Sequence, residues 1–538
     1  MLPIPEMPEV FNLAEWLLDA RVAEGNGDRI ALRLPDRSLT YAEVQALANR
    51  FAGVLQGLGL RREERVFIAL PDGAEFVGAL FGTLKAGAVV VMLNPDLAPD
   101  AVASLYEYLS PRLAIIDSRL APLFGQALAT AQENTTLLAV GDPVPGCAGF
   151  AELARSVSGE FNRVRTHRDD PAVLLFSGGT TGRPKAVVQS HRSYAFTTQA
   201  YGQRILGLAA DDITLAVPKL YFGYAMGSNL FFPFSVGASA CLFPEKATAD
   251  SIFAAIRRHR PTVLVNVPTL IQQMVAHPQA GEQDLSSLRV ATSAGEALAA
   301  TLRERWNAAF GVELLDGLGT AEQWHVFLSH LPGRVRAGTL GEVVPGFEVQ
   351  VRDDDGHELP HGEIGQLWVR GGARAWGYFR ELEKTQATFR GEWVVTGDLV
   401  SRDTDGFFTY QGRDDDVFKV AGRWFSPAEV EGTLLRHPQV GECAVVGIVD
   451  GNGLVKPQAW VIPKTVAGQT PPAAKAAPAA EEGLARELSD FVARELAPYK
   501  APRIVHIVAD LPRTHLGKID RGALKRPPAG AADAADKS

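Results

Sequence analysis

The stretch FSGGTTGRPK, from Phe176 to Lys185, decides how this 538-residue chain is interpreted. It follows a short apolar run, Ala172 to Phe176, that is typical of a buried strand. Glycines let backbone N–H groups approach an anion closely, hydroxyls add donors, and a lysine adds a compact positive charge. The residues of these three kinds are Ser177, Gly178, Gly179, Thr180, Thr181, Gly182 and Lys185. The stretch therefore predicts a phosphate-binding loop.

Two other interpretations of this loop depend on the residues at its C-terminal side. A Walker-type phosphate loop needs the pattern G-x-x-x-x-G-K-[ST] at the start of a helix. Here Gly182 is followed by Arg183, Pro184 and Lys185, and the next residues, AVVQS, favour a second strand. The Walker interpretation therefore fails, whereas an ordinary glycine-rich turn stays open on the loop alone.

The composition narrows the class of protein. A net charge of −9, without a basic run, argues against a nucleic-acid partner. The N-terminus lacks the basic and apolar regions of a signal peptide, and no stretch approaches the ~18 apolar residues of a membrane span. The cysteines Cys147, Cys241 and Cys443 match no metal-ligand spacing. They favour buried thiols in a reducing cytoplasm, where we expect the protein to be.

The order of apolar runs predicts an α/β fold with doubly wound sheets in a large N-terminal domain. ERVFIALP, DGAEFVGALFGTLKAG and AVVVMLNP predict a βαβ unit, which implies parallel strands with helices on both faces. From about Arg334, short alternating segments predict an antiparallel, barrel-like lobe. Beyond about Gly412 to Asp416, a helix–strand–strand–helix order predicts a small α+β domain. Within it, the Ala/Pro-rich run TVAGQTPPAAKAAPAAEEG predicts a mobile loop.

The phosphate loop and six further stretches resemble the adenylate-forming superfamily, which includes acyl-CoA synthetases, luciferase-like enzymes and peptide-synthetase adenylation domains. The stretches follow that family's order across roughly residues 40 to 526. Among them are TSAGEAL, DGLGTAE, TGDLV, YQGRDDD and LPRTHLGKIDRGAL. Gly179 and Ala186 depart from the usual loop pattern, but neither change removes a donor that the loop needs.

The resemblance implies an ATP and AMP site built from several of these stretches. Besides the phosphate loop it contains Gly295, Glu296, Ala297, Asp316, Gly317, Leu318, Gly319, Thr320, Asp398, Arg413 and Lys518. In such a site Thr320 donates to the α-phosphate, Glu322 holds Mg²⁺, and Asp398 accepts from both ribose hydroxyls. Taken alone, Glu322 could be a solvated acid, and the R-D-D-D run could be a charged turn.

The resemblance also implies two rigid bodies. A large domain, residues 1–413, holds the ATP and acid sites. A hinge at residues 414–416, centred on Asp415, joins it to a small mobile C-terminal domain, residues 417–526. Residues 527–538 are expected to be a disordered tail.

The resemblance makes two residues catalytic: Thr320 in the large domain and Lys518 in the small domain. Lys518 bridges the substrate carboxylate and the α-phosphate while an acyl-adenylate forms. Rotation about the hinge then withdraws the lysine, and a channel lined by Lys419 and Gly422 admits coenzyme A. The implied activity is an acid–thiol ligase that uses ATP, Mg²⁺ and coenzyme A and releases AMP and pyrophosphate.

The aromatic segment PKLYFGYAMGSNLFFPF, Pro218 to Phe234, lies where the family binds its acid and is similar to benzoate-type CoA ligases. The implied acid pocket consists of Tyr221, Phe222, Gly223, Tyr224, Ala294, Gly319 and His325. The residues Phe231, Phe232 and Phe234 are expected to be core. No acidic residue lies between Lys219 and Phe234 to pair with an α-ammonium group, which disfavours an amino-acid substrate.

The implied substrate is benzoate or a small substituted benzoate such as 2-aminobenzoate. Gly223 stands where benzoate-type relatives commonly have alanine, which could make room for a ring substituent. An adenylating enzyme that loads an aryl acid onto a carrier protein stays an alternative. The predicted partners are the aryl carboxylic acid, ATP and coenzyme A, with no nucleic acid and no membrane span. A monomer and a homodimer both stay open.

Overall fold

In a computed structural model of the chain, the described residues are 4–132, 134–177, 184–414, 416, 418–420, 423–449, 454–464, 478–513 and 519–525. None of the helices in these ranges combines the length and the apolar character needed to cross a membrane.

The strands are numbered in chain order. They are β1 (Ile30–Arg33), β2 (Ser38–Thr40), β3 (Arg65–Ala69), β4 (Val89–Met92), β5 (Leu113–Asp117), β6 (Thr136–Val140), β7 (Ala148–Gly149), β8 (Pro171–Ser177), β9 (Lys185–Ser190), β10 (Ile213–Ala216), β11 (Ser239–Cys241), β12 (Val263–Asn266), β13 (Val290–Ser293), β14 (Leu314–Thr320), β15 (His325–Ser329), β16 (Glu342–Val343), β17 (Phe347–Arg352), β18 (Ile364–Gly371), β19 (Phe389–Arg390), β20 (Trp393–Arg402), β21 (Phe408–Arg413), β22 (Phe418–Val420), β23 (Arg423–Phe425), β24 (Val440–Val449), β25 (Val455–Pro463) and β26 (Ile504–Ile507).

The α-helices are numbered in the same way. They are α1 (Tyr41–Gly57), α2 (Ala74–Lys85), α3 (Pro99–Leu109), α4 (Ala121–Ala131), α5 (Phe150–Leu153), α6 (His191–Thr197), α7 (Gly223–Met226), α8 (Phe232–Ser235), α9 (Ala249–His259), α10 (Pro268–Ala276), α11 (Ala300–Phe310), α12 (Leu382–Thr388), α13 (Pro427–Leu434), α14 (Pro478–Glu495) and α15 (Arg521–Leu524). A π-helical stretch, Gly227–Phe231, joins α7 to α8.

Two mostly parallel sheets form the large N-terminal part of the fold. The first has the order β7-β6-β5-β3-β4-β8-β9, and the second has the order β16-β15-β14-β13-β12-β10-β11-β1-β2. The predicted βαβ unit is confirmed, because β3 and β4 pair in parallel and α2 connects them. The carboxyl ends of parallel strands lie at one edge of a sheet, which is where doubly wound folds bind ligands.

The third sheet is the lobe that the alternating segments predict. It is antiparallel, with the order β17-β18-β20-β19 and with β21 paired to β20. Two details differ from the expectation. Because β16 pairs with β15 in the second sheet, the lobe begins at Phe347 rather than near Arg334. Among the described residues β17 forms one edge of this sheet, and β19 and β21 form the other; the two edges are not paired, so the sheet is open rather than barrel-like.

The small C-terminal part has the predicted α+β character. Strand β25 pairs antiparallel with β24 and parallel with β26, and α13 and α14 contribute to the core beside this sheet. Part of the expected loop is helical, since α14 begins at Pro478. Its first residues, PAAEE, combine a first-turn proline with good helix formers. The rest of that loop and the expected tail lie outside the described residues.

Candidate functional site

The phosphate loop is the connection of a β-hairpin. Strands β8 and β9 pair antiparallel, and Ser177 lies opposite Lys185 at the mouth of the loop. The residues between them, from Gly178 to Arg183, lie outside the described part of the chain, so the predicted contacts of Gly178, Gly179, Thr180, Thr181 and Gly182 stay predictions. The strand after the loop is the feature that excludes a Walker-type connection to a helix.

Two neighbouring parallel strands, β13 and β14, bring the next predicted residues together. Ser293 at the end of β13 lies opposite Asp316 in β14. The following turn contains the buried Ala294 and then Gly295, whose φ of 86° favours glycine. The Glu296 carboxylate accepts from the backbone N–H and the hydroxyl of Thr269 at 3.2 and 2.7 Å. Its side chain is therefore bound to the start of α10, whereas Ala297 is exposed.

Asp316 is a buried carboxyl group in the middle of this region. Burial raises the pKa of Asp316 to about 7, and the nearby guanidinium group of Arg303 opposes the rise. Oδ1 of Asp316 has no hydrogen-bond partner among the described residues. A nucleotide hydroxyl or amine could use this acceptor without displacing a protein donor.

The strands β14 and β15 approach each other unusually closely beside this group. A Cβ atom on Gly319 would lie 2.1 Å from the backbone oxygen of His325, and one on Gly317 would lie 2.8 Å from Cγ1 of Val326. Glycine is therefore required at both positions. The same pairing sets Thr320 opposite His325 and, two residues earlier, Leu318 opposite Leu328. A predicted phosphate-binding residue and a predicted acid-binding residue are thus neighbours.

Glu322, the predicted magnesium ligand, is held by the lobe. Its Oε1 accepts a hydrogen bond from the Tyr378 hydroxyl at 2.6 Å, and its backbone oxygen accepts from the Ala375 N–H at 2.8 Å. The other carboxylate oxygen is not hydrogen-bonded to any described residue. Lys185 Nζ lies 5.2 Å from the centroid of the Tyr378 ring, so the phosphate loop and Glu322 share one neighbour. One engaged and one available oxygen fit a hard cation that also binds phosphate.

Asp398 and Arg413, the predicted ribose pair, lie opposite each other on β20 and β21. Arg413 Nη1 donates to Asp398 Oδ1 at 3.2 Å and to the Thr396 backbone oxygen at 3.0 Å. Burial raises the pKa of Asp398, whereas the charge of Arg413 and a hydrogen bond from Thr396 lower it. The pair holds a buried carboxylate in a fixed direction.

The residues of the predicted acid pocket lie on α7 and on the strand ends beside it. Tyr224 and Thr292 share a hydrogen bond of 2.6 Å between their hydroxyls. His325 Nε2 donates to the Tyr224 backbone oxygen at 3.0 Å and lies 2.9 Å from Ser228 Oγ. Burial lowers the pKa of His325 to about 3, so the ring is neutral at neutral pH. The structure brings the predicted pair Tyr224 and His325 together, with ring centroids 5.1 Å apart.

The other aromatic residues of this segment differ in how far their side chains are buried. Phe231, Phe232 and Phe234 are fully buried in the main hydrophobic core, as expected. Tyr221 and Phe222 are partly exposed and contact each other, with centroids 4.5 Å apart.

The space beside Gly223 is not empty. A Cβ atom there would lie 2.8 Å from Cδ2 of Leu175, a residue of β8. The room that the missing methyl group leaves is therefore taken up by the Leu175 side chain. Any ring substituent that used this room would have to share it with Leu175.

The C-terminal contribution to the site is only partly described. Lys518, Asp415 and Gly422 lie outside the described residues, and the backbone of Lys419 lies in the β22–β23 hairpin. Next to the Lys518 segment, Arg513 and Ile519 form an antiparallel bridge across its two ends. The roles of Lys518, Asp415, Lys419 and Gly422 therefore stay predictions.

Sequence reasoning missed Tyr378, the donor to Glu322. It lies in RAWGYFR, more than fifty residues beyond its partner, and no pattern in that stretch identifies it as part of the site. The backbone pairing of Val187 with Tyr378 brings this stretch beside β9, the strand that follows the phosphate loop.

Residues 19–379 of the chain match the family described as AMP-binding enzyme, and residues 429–518 match the AMP-binding enzyme C-terminal domain. The chain is 37% identical over 529 residues to the 4-hydroxybenzoate–CoA/benzoate–CoA ligase of Rhodopseudomonas palustris, and the match covers 98% of this chain and 96% of that relative.

Two solved structures resemble this one along nearly their whole length. The crystal structure of the anthranilate CoA ligase AuaEII in complex with anthranoyl-AMP has a TM-score of 0.88 and 36% identity, and the match covers 96% of this chain and 97% of that one. A benzoate CoA ligase from Burkholderia xenovorans LB400 has a TM-score of 0.86 and 39% identity, with 96% and 100% covered.

Proposed function

The chain belongs to the AMP-binding enzyme family, and we propose that it is an ATP-dependent ligase that joins a small aryl carboxylic acid to coenzyme A. The observation that carries this proposal is the pairing of Thr320 with His325 across β14 and β15. It puts a hydroxyl group suited to the α-phosphate beside a neutral, aromatic-walled pocket. An acid bound against Tyr224 and His325 would thus have its carboxylate next to the nucleotide.

The pocket favours a flat and uncharged ring. Tyr224 and His325 offer aromatic surfaces, and the hydroxyl of Tyr224 is satisfied by Thr292. No acidic side chain occurs between Lys219 and Phe234. The relatives named above act on benzoates and on anthranilate by their names. Benzoate, or a benzoate with one small substituent such as 2-aminobenzoate, is therefore the proposed substrate.

In the first half-reaction an oxygen of the aryl carboxylate attacks the α-phosphorus of ATP. The bond from the α-phosphorus to the oxygen that it shares with the β-phosphate breaks. The acyl-adenylate (aroyl-AMP) forms, and pyrophosphate leaves. In this proposal the Thr320 hydroxyl donates to the α-phosphate, and the Asp398 carboxylate accepts from the ribose hydroxyls. Lys518 supplies positive charge between the carboxylate and the phosphate. Fixed charge of this kind is a large catalytic contribution.

Glu322 is the residue that would hold Mg²⁺, and its engaged and available oxygens fit that role. The ion would offset negative charge on the departing pyrophosphate. Tyr378 donates its hydroxyl proton to one carboxylate oxygen of Glu322 and so restricts the orientation of that carboxylate.

In the second half-reaction the sulfur of coenzyme A attacks the carbonyl carbon of aroyl-AMP. The bond from that carbon to the phosphate oxygen breaks, AMP leaves, and the thiol proton passes to water. Lys518 and the thiol need the same side of the adenylate. We therefore propose that residues 417–526 rotate about a hinge at Asp415 between the two halves, and that Lys419 and Gly422 line the thiol's path.

The test is CoA-dependent AMP formation from ATP with a panel of acids: benzoate, 2-aminobenzoate, 4-hydroxybenzoate, phenylacetate, octanoate and phenylalanine. A preference for one benzoate, with loss of AMP formation in Lys518→Ala, is expected. Equal rates with octanoate and benzoate would contradict the aryl pocket. AMP formation that requires a phosphopantetheine carrier instead of coenzyme A would favour the carrier-loading alternative. A cytoplasmic location stays a prediction, and a homodimer stays possible.

A further inference from the structure

Asp72 is a buried carboxylate that connects the two large sheets. It follows β3, near the centre of the first sheet, and precedes α2. Its Oδ1 and Oδ2 both accept the backbone N–H of Leu220, at 3.0 and 3.2 Å. Leu220 belongs to the segment that leaves β10, in the second sheet, and leads into α7. A single carboxylate thus fixes the start of the acid-binding segment to the other sheet.

The residue before Leu220 is fixed as well. Lys219 Nζ donates to the Phe243 backbone oxygen at 2.7 Å and lies 3.5 Å from the centroid of the Phe243 ring. Burial lowers the pKa of Lys219, and the charge of Asp72 opposes this shift. Burial in turn raises the pKa of Asp72, with Lys219 and the Leu220 N–H opposing it. The two groups are therefore close enough to act on each other.

Backbone bonds transmit this anchoring to α7. The Phe222 N–H donates to the Lys219 oxygen at 2.9 Å, which closes a turn around Leu220 and Tyr221. The Met226 N–H then donates to the Phe222 oxygen at 2.9 Å, which closes the first turn of α7. Because these bonds are consecutive, the direction of α7 depends on where Leu220 is held. The Tyr224 side chain and the Tyr224 oxygen that receives His325 Nε2 both lie on that turn.

We propose that Asp72 is a positioning residue for the aryl acid: by accepting the Leu220 N–H it sets the place of Gly223 and Tyr224 against the substrate ring. The proposal rests on the function proposed above and adds a specificity device outside the pocket. Asp72 does not contact the acid. Its loss should therefore act on acid binding through α7 and leave ATP binding nearly unchanged.

A second buried carboxylate offers a matched control. Asp212 lies just before β10, at the opposite end of the strand that leads toward Lys219. It is bound by the Arg289 guanidinium through Nε and Nη2, both at 2.9 Å, and by the Ala209 N–H, also at 2.9 Å. It is buried like Asp72. Its hydrogen bonds with Ala209 and Arg289 stabilise the start of β10, and none of them involves a residue of α7.

The experiment compares Asp72→Ala, Asp72→Asn and Asp212→Ala in the full chain. The readouts are kcat, KM for benzoate, KM for ATP and the melting temperature. Asp72→Ala should raise KM for benzoate about tenfold, and Asp72→Asn, which keeps one acceptor oxygen, about threefold. KM for ATP should stay within about twofold in both. Asp212→Ala should lower the melting temperature without separating the two KM values.

The outcomes separate this proposal from the function that it rests on. If the wild type activates no aryl acid, the proposed function fails. If the wild type is active and Asp72→Asn leaves both KM values unchanged, or shifts both equally, the positioning role is overturned. Because asparagine keeps the side-chain shape, Asp72→Asn should fold even if Asp72→Ala does not, and the expected threefold rise in KM for benzoate alone then tests the proposal.

Discussion

The proposed ribose pair and the proposed acid pocket are buried to a similar extent, but they differ in charge. The buried Asp398 has a charged partner, whereas the buried His325 is neutral. Asp398 and His325 are 3% and 6% exposed. Burial raises the pKa of Asp398, but Arg413 is there to favour its charged form. Burial lowers the pKa of His325 to about 3, and its hydrogen-bond partners in the described part of the chain are a backbone oxygen and a hydroxyl. Burial disfavours both charges, so the partner decides which group remains ionised.

This difference matches the ligand that we propose for each region. The ribose needs an acceptor with two oxygens and a fixed direction, which an ion pair supplies. A benzoate ring needs surfaces without charge, which a neutral histidine and a satisfied tyrosine supply. Changes on the two sides should therefore separate into effects on ATP and effects on the acid.

The largest effect is expected from Asp398→Ala. If Asp398 binds the ribose as proposed, the change removes the charged acceptor of two hydroxyls, at about 3 kcal/mol or more in total, so kcat/KM for ATP should fall on the order of 100-fold. Asp398→Asn keeps the shape and one acceptor oxygen, and should lose less. Steady-state kinetics with ATP varied checks both. A fall of under about threefold in Asp398→Ala would mean that the ribose lies elsewhere.

The second effect is a dependence of stability on pH that differs between the two regions. His325 has a pKa of about 3 in the fold against an ordinary 6.5, so its contribution to stability is complete above 6.5 and is lost as the pH falls. At pH 5 the loss is about 2 kcal/mol, since one pH unit below 6.5 costs about 1.4 kcal/mol.

Urea unfolding of wild type and His325→Asn at pH 8 and pH 5 measures this loss. From pH 8 to pH 5, the free energy of unfolding of the wild type should fall by about 2 kcal/mol relative to that of His325→Asn. Asp398→Asn should show the opposite trend, because the raised pKa of Asp398 makes its contribution fall as the pH rises. A pH-independent difference for His325→Asn would contradict the neutral buried ring.

The third effect concerns Glu322 and its donor. Tyr378→Phe removes the hydroxyl that orients the carboxylate, a hydrogen bond to a charged group worth about 1.5 kcal/mol, or roughly tenfold in kcat/KM for ATP. More Mg²⁺ should also be needed for half-maximal rate. Tyr106→Phe is the matched control, because the Tyr106 hydroxyl is buried and has no hydrogen-bond partner among the described residues. Equal Mg²⁺ curves for the two variants would count against the role of Tyr378.

The smallest effect is expected inside the acid pocket. Tyr224→Phe loses the hydroxyl contact with Thr292 but keeps the ring, so KM for benzoate should rise about fivefold while KM for ATP stays unchanged. Thr292→Val loses the same contact, and the double variant should be no worse than either single one. Additive effects in that cycle would show that the two hydroxyls act independently.

The sequence predicted the sheets better than it predicted the links between them. Apolar runs such as ERVFIALP and AVVVMLNP are local signals, and both contain strands. The resemblance of DGLGTAE to the family stretch did not reveal that β14 and β15 approach too closely for a side chain at Gly319. The contacts of Asp72 with Leu220 and of Glu322 with Tyr378 were not predicted either, because residues 148 and 56 positions apart meet only through the packing of separate sheets. No local pattern marks such a pair.

The space beside Gly223 also depends on a residue that is distant in the sequence. The sequence indicates a missing methyl group, but whether it leaves space depends on Leu175, forty-eight residues earlier. The barrel-like lobe likewise depended on whether β17 and β21 pair, which alternation alone does not reveal.

The central claim is that this chain forms an aryl-adenylate. The most direct measurement is the exchange of labelled pyrophosphate into ATP, without coenzyme A, in the presence of each acid. Exchange that requires benzoate or 2-aminobenzoate, is weak with octanoate or phenylalanine, and is lost in Lys518→Ala is the predicted result. Exchange that is equally fast with octanoate, or that needs no acid, would contradict the account.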